Sequence, residues 1–217
     1  MNIYLVVEGS VCEMQVYSHW VPLVNPSLRL TRNIDDIDGN SVFMISGCGY
    51  PNYFDIISAA IEDISGTDLF DRLVIAIDSE NMTYEEKRTE IDTFVRKHRQ
   101  LFDYRIIVQH FCLETWALGN KAIVPRNNPN ELVRLYRSVF DVLVRDPELL
   151  PDFQGLNRAQ FAEKYLRCML LQKFSKISYS KRNPKALLHP TYFQKVKDRF
   201  NTTGHIASFN DFLTAFI

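Results

Sequence analysis

Asn2-Ile3-Tyr4-Leu5-Val6-Val7-Glu8-Gly9-Ser10-Val11-Cys12-Glu13 is the stretch from which the rest of the chain is read. Residues 3–7 are continuously apolar, rich in β-formers and too short for a helix, which predicts a strand buried on both faces. Glu8 falls where that strand runs out, and Gly9 lets the backbone turn sharply. Ser10 and Glu13 have the spacing of a capping box at a helix start. The layout is therefore strand, acid, tight turn, helix. In an open α/β sheet, ligands bind at the carboxyl ends of the strands. Glu13 is read first as a helix cap, whereas Glu8 needs water or a partner, because an unpaired buried carboxylate is costly.

Outward from this stretch the same rhythm repeats. Apolar runs at 41–46, 73–77 and 104–109 predict three further strands, and 28–31 reads as a short edge strand. Helical periodicity covers 11–21, 50–65 and 83–101, with Pro22 starting a loop. Strands alternating with helices predict right-handed crossovers and an α/β fold with a mainly parallel, four-stranded sheet flanked by helices. Beyond Trp116 the pattern turns helical, near 130–145, 158–175, 189–200 and 207–216. The chain divides into an α/β core over residues 1–120 and a basic helical extension over 121–217, packed on that core.

The net charge of −1 conceals a split. Residues 1–92 hold 16 acids and 5 bases, and the remainder 10 acids and 20 bases. Residues 164–200 alone hold ten Lys or Arg against the single acid Asp198. An acidic half beside a basic half suits a polyanionic substrate, although a solvated lysine-rich helical surface explains the charge equally well. No apolar run reaches the roughly 20 residues of a membrane span, and no basic leader precedes the first strand. Four scattered cysteines without CxxC or zinc spacing read as reduced thiols of a cytoplasmic protein. Asp35-Asp36-Ile37-Asp38-Gly39-Asn40 lacks the twelve-residue EF-hand pattern. Gly47-Cys48-Gly49 could admit a phosphate but falls short of a dinucleotide fingerprint, and no P-loop occurs.

A parallel sheet presents every strand's carboxyl end on one edge. That gathers Glu8, Asp78 and Glu80, with Glu114 nearby. If the chain stays extended after the third apolar strand, Asp78 and Glu80 point to one side. Such like charges call for a cation, and hard carboxylate oxygens suit Mg2+ or Mn2+. Such an ion serves phosphodiester cleavage. Each member also has a plainer reading: a polar turn for Asp78-Ser79-Glu80-Asn81, a core partner for Glu114, and packing for Trp116.

Val7-Glu8-Gly9-Ser10-Val11-Cys12-Glu13 resembles the VEG-x-x-E opening of TOPRIM domains, the fold shared by topoisomerases, DnaG-type primases and OLD-type nucleases. Ile77-Asp78-Ser79-Glu80-Asn81 is similar to that family's DxD motif, with Glu in place of the second Asp. The segment from Phe111 to Leu118 resembles the FExW segment of RloB-like and related small TOPRIM proteins of bacterial defence loci. The resemblance spans roughly residues 1–120. It implies Glu8 as general acid/base or metal ligand, Asp78 and Glu80 as metal ligands, and Glu114 as an accessory carboxylate. The family's basic residue is sought among Lys176, Lys181 and Arg182.

The leading expectation is a Mg2+- or Mn2+-dependent nuclease acting on DNA or RNA, the effector of an antiphage system. Lys173, Lys176, Lys181 and Arg182 would hold phosphates, and Tyr179 would stack on a base or lie buried. No OLD-type ATPase segment is present, so any such activity would come from a partner chain. The alternative is a non-catalytic TOPRIM-like module that binds a partner ATPase or a regulatory nucleotide. Primase or topoisomerase chemistry is the weakest, for want of a zinc module or strand-passage domains. No membrane partner is expected, and the sequence leaves a homo-oligomer open.

Overall fold

The computed structural model describes residues 1–98, 102–174 and 178–217. Five strands form one all-parallel sheet: β1 Ile3–Val7, β2 Arg29–Thr31, β3 Ser41–Ser46, β4 Arg72–Asp78 and β5 Asp103–Gln109, in the order β2-β3-β1-β4-β5. The sheet thus has one strand more than the four expected. The edge segment at 29–31 pairs with β3 over three residues and counts as a full member.

β1 is apolar throughout because both of its faces are covered. Ile3, Leu5 and Val7 face one cluster, Tyr4 and Val6 the other, and all five are at most 3% exposed. The second cluster is closed by α2 Tyr53–Gly66 and α3 Tyr84–Arg96. The first is closed by α1 Cys12–Val24 together with the helices that follow β5: α4 Leu113–Ala117, α5 Glu131–Val139, α6 Arg158–Lys173, α7 Pro190–Thr203 and α8 Phe209–Ala215. α1 continues through Pro22 rather than stopping at it, and the N–H of Asn25 closes the last turn onto Val21 O.

Residues beyond 120 complete the sheet's cover. Trp20 on α1 is fully buried and donates its indole N–H to Leu187 O at 2.9 Å. Its ring meets Phe193, Phe209 and Phe212 at centroid distances of 5.5–6.1 Å. α8 lies along β5. Arg72 at the start of β4 donates to Ala215 O and Ile217 O. Without α7 and α8 the α1 face of the sheet would stand in water. All four cysteines carry free thiols. Among the described residues no helix is long and apolar enough to cross a membrane.

This shared core makes a specific demand on unfolding. Trp20→Ala is expected to cost about 3–5 kcal/mol, through lost burial and a residual cavity. Urea melts followed by far-UV and near-UV circular dichroism should coincide in a single transition for both proteins. Two separated transitions would show that residues 1–120 and 121–217 unfold independently.

Candidate active site

The connection from β1 leads through α1 towards β2 and β3 on one side of the sheet. The connection from β4 leads through α3 to β5 on the other. β1 and β4 are neighbours, so their carboxyl ends flank a topological switch point, where such sheets open a crevice. Glu8 and Asp78 stand there. The Glu8 N–H donates to Ala76 O at 3.0 Å, and the Asp78 N–H donates to Glu8 Oε2 at 2.9 Å. The glycines of 47–49 do not offer their amides to a phosphate, because Gly47 N donates to Val7 O and Gly49 N to Glu8 O.

The expected Ser10–Glu13 capping box is absent. α1 begins at Cys12 with Val11 as N-cap and no side-chain cap bond. Glu13 is then the second residue of the helix and lies over Gly9, where an added Cβ would stand 1.9 Å from Glu13 Oε2. A side chain at residue 9 would therefore have to displace the Glu13 carboxylate. Glu13 is only 6% exposed and joins the carboxylate group, as does Glu114 at 1%.

Electrostatics tie these groups together. Burial raises the Glu8 carboxyl to about 7; the Asp78 N–H pulls against that, the Glu80 charge adds to it, and Lys87 opposes it. Asp78 is held well above the usual range by burial first, then by the charges of Glu8 and Glu13. Burial also raises Glu13; its own backbone opposes this and Glu114 reinforces it.

A turn from the basic extension, closed by the Ser180–Asn183 bridge, lies against this group. Tyr179 is fully buried and donates its hydroxyl to Glu114 Oε1 at 2.6 Å, with Cys12 Sγ 3.4 Å away. Tyr179 therefore offers no ring for a base. Lys181 is exposed as a residue, yet burial around its ammonium works against the charge. Glu114, Asp78, Cys112 and Glu13 outweigh that and raise its pKa. Two fully buried polar atoms lie unpartnered here: Gln109 Oε1, whose Nε2 donates to Asp78 Oδ1 at 3.0 Å, and the Tyr17 hydroxyl, which feels Asp78 and Glu13.

The remaining expected residues divide. Glu80 does not continue the strand. Its backbone is left-handed (φ 49°), its N–H donates to Phe111 O, and its side chain is exposed beside Glu8 rather than parallel to Asp78. Lys173 and Arg182 are exposed and are not among the leading charges on the carboxylates; Lys176 lies outside the described residues. Two contributors went unanticipated, Gln109 on β5 and Tyr17 on α1. Arg158, at the start of α6, packs its guanidinium over Phe111 at 4.8 Å and depresses the pKa of His110, which burial already lowers.

The donor chemistry fits a hard divalent cation: three buried carboxylates and the half-buried Glu8, with two orphaned oxygen atoms nearby. Among the described residues, however, no three His, Cys, Asp or Glu side chains converge as a ligand group. Glu8 is turned to the Asp78 N–H, Asp78 to Gln109 and Glu114 to Tyr179.

Two outcomes follow from this geometry. Because the folded pKa of Glu8 lies above its ordinary 4.5, the folded state holds an extra proton. Its stabilising contribution is complete below that value and is lost as pH rises through about 7. Raised values at Asp78 and Glu13 act in the same sense. Thermal midpoints without divalent ions should therefore fall between about pH 5 and about pH 8, and fall less for Glu8→Gln. Separately, Gly9→Ala should cost about 1–3 kcal/mol by displacing Glu13. Gly9→Ala combined with Glu13→Ala should recover most of that loss in urea melts; an additive double mutant would contradict the contact.

Compared with known proteins, the chain matches no family model, no curated protein and no solved structure.

Proposed function

We propose that the protein is a metal-dependent nuclease that hydrolyses phosphodiester bonds of DNA or RNA at the β1/β4 edge. The observation that carries this reading is the gathering of Glu8, Glu13, Asp78 and Glu114 at a sheet switch point, with Lys181 as the cation that bears on the last three and Lys87 on Glu8. Isolated structural carboxylates are usually paired, and burying several like charges together is tolerated where a ligand or a function needs them. A hard divalent ion bound there would supply Lewis acidity to the phosphoryl oxygen and steady the leaving oxygen.

The chain's own groups have distinct tasks. Glu8, with its pKa raised to about 7, exchanges a proton near neutral pH and accepts one from the attacking water. The water oxygen bonds to phosphorus, the bond to the sugar oxygen breaks, and that oxygen takes a proton from solvent. Lys181 holds the phosphate from the side of the extension, a salt-sensitive contribution. The antiphage setting rests on the TOPRIM resemblance alone, and a cytoplasmic one on the scattered free cysteines. The alternative, an adaptor without catalysis, draws support from the carboxylates' failure to converge in these rotamers.

Cleavage of labelled DNA, RNA and tRNA with Mg2+ or Mn2+ decides between the two. Glu8→Gln and Asp78→Asn should each lower cleavage by at least about a hundredfold, since the lost contribution is worth several kcal/mol at the transition state, while keeping the folded circular dichroism spectrum. Either ion should also raise the wild-type thermal midpoint. A wild type that cuts none of the three polymers, and melts alike with and without the ions, leaves the adaptor.

A further inference from the structure

A second cavity, which shares no residue with the carboxylate group, opens between the end of α6, the start of α7 and the turns at 121–123 and 185–187. Its volume is about 380 Å3, within the range of small-ligand sites. Ile123, Leu170 and Ala186 line it, and Phe174, 40% exposed, offers a ring at its side. Among the described residues the charged side chains that line it are two lysines, with His189 beside them. Lys185 is exposed and makes no ion pair among the described residues, Lys195 has only a loose pair with Asp198 at 3.7 Å, and His189 caps α7 by accepting from the Thr191 N–H. No acid lines the cavity among the described residues. The fourteen-residue α7 begins there, so its dipole adds to the positive potential.

Asn120 narrows the choice of occupant. It is 4% exposed and lines the cavity. Its Oδ1 accepts from the Ala122 N–H, while its Nδ2 donates to no acceptor among the described residues. An acyl chain would cover that amide without satisfying it, at a cost. A flat ring that carries acceptor atoms on its edge would satisfy it and could stack on Phe174. Two lysines at the mouth suit a phosphate better than a single carboxylate.

We infer that this cavity binds one nucleotide unit, its base between Phe174 and the Ile123–Leu170 wall and towards Asn120, its phosphate at Lys185 and Lys195. The unit is either a free nucleoside monophosphate or one residue of a nucleic acid strand. The inference stands apart from the nuclease reading, since it needs neither a metal ion nor Glu8.

Calorimetric titration of the full chain, without divalent ions, tests it in separate arms: AMP, GMP, CMP and UMP, a short single-stranded oligonucleotide, inorganic phosphate, and laurate. We expect saturable one-to-one binding of at least one monophosphate or of the oligonucleotide, with a Kd below about 1 mM. A monophosphate that binds identifies a free ligand; the oligonucleotide alone identifies a strand. Phe174→Ala and the pair Lys185→Ala with Lys195→Ala, all at exposed positions, should each weaken binding at least about fivefold without moving the thermal midpoint. The inference is overturned if no nucleotide arm saturates, if laurate binds and nucleotides do not, or if the variants bind as the wild type does. Loss of cleavage in Glu8→Gln with nucleotide binding intact would separate this site from the other.

Discussion

Carboxylates at the carboxyl edge of a parallel sheet repel one another, and here water is largely excluded from them as well. Asp78 is 8% exposed, Glu13 6% and Glu114 1%. Each would be better solvated outside. Their position is imposed by elements that are otherwise well satisfied: β1 and β4 pair over five residues, and Glu8 and Asp78 follow from where those strands end. The sheet thus fixes the charges before any ligand arrives. The surroundings then answer them through Lys181, the Tyr179 hydroxyl, the Gln109 amide and the Asp78 N–H.

That constraint explains why the C-terminal half is more than a cover. α7 and α8 close the apolar face through Trp20, Phe193, Phe209 and Phe212. The turn that follows α6 carries Tyr179 and Lys181 to the acids. One segment therefore both completes the core and tempers the charge. The sequence's division into an acidic and a basic half has its physical counterpart here: among the expected basic residues that are described, Lys181 is the one whose charge bears most on the carboxylates.

Much of the architecture was legible in the sequence because parallel strands buried on both faces leave unbroken apolar runs, and four such runs were plain. The fifth strand, β2, is three residues long and half exposed, so its signal was weak. Glu8 and Asp78 could be placed because strand ends follow from those runs. Glu13 was misread, since a capping-box spacing does not reveal that the helix starts two residues after Ser10. Glu80 was misplaced because a left-handed turn after β4 leaves no mark on a DxE pattern. Gln109 and Tyr17 were invisible for a different reason. A polar atom on a buried strand or helix reads as part of an apolar stretch until its neighbours in space are known.

The Lys181 ammonium has a consequence for any ion that visits this edge. It is tethered to the same chain, so its local concentration does not fall on dilution, and an incoming cation meets a resident counter-ion. A monovalent ion would gain little by exchange. A divalent ion gains more charge than it displaces, and the freed ammonium becomes available to an incoming anion. Under the proposed function, the edge would favour arrivals in pairs, a dication together with a polyanion, over either one alone.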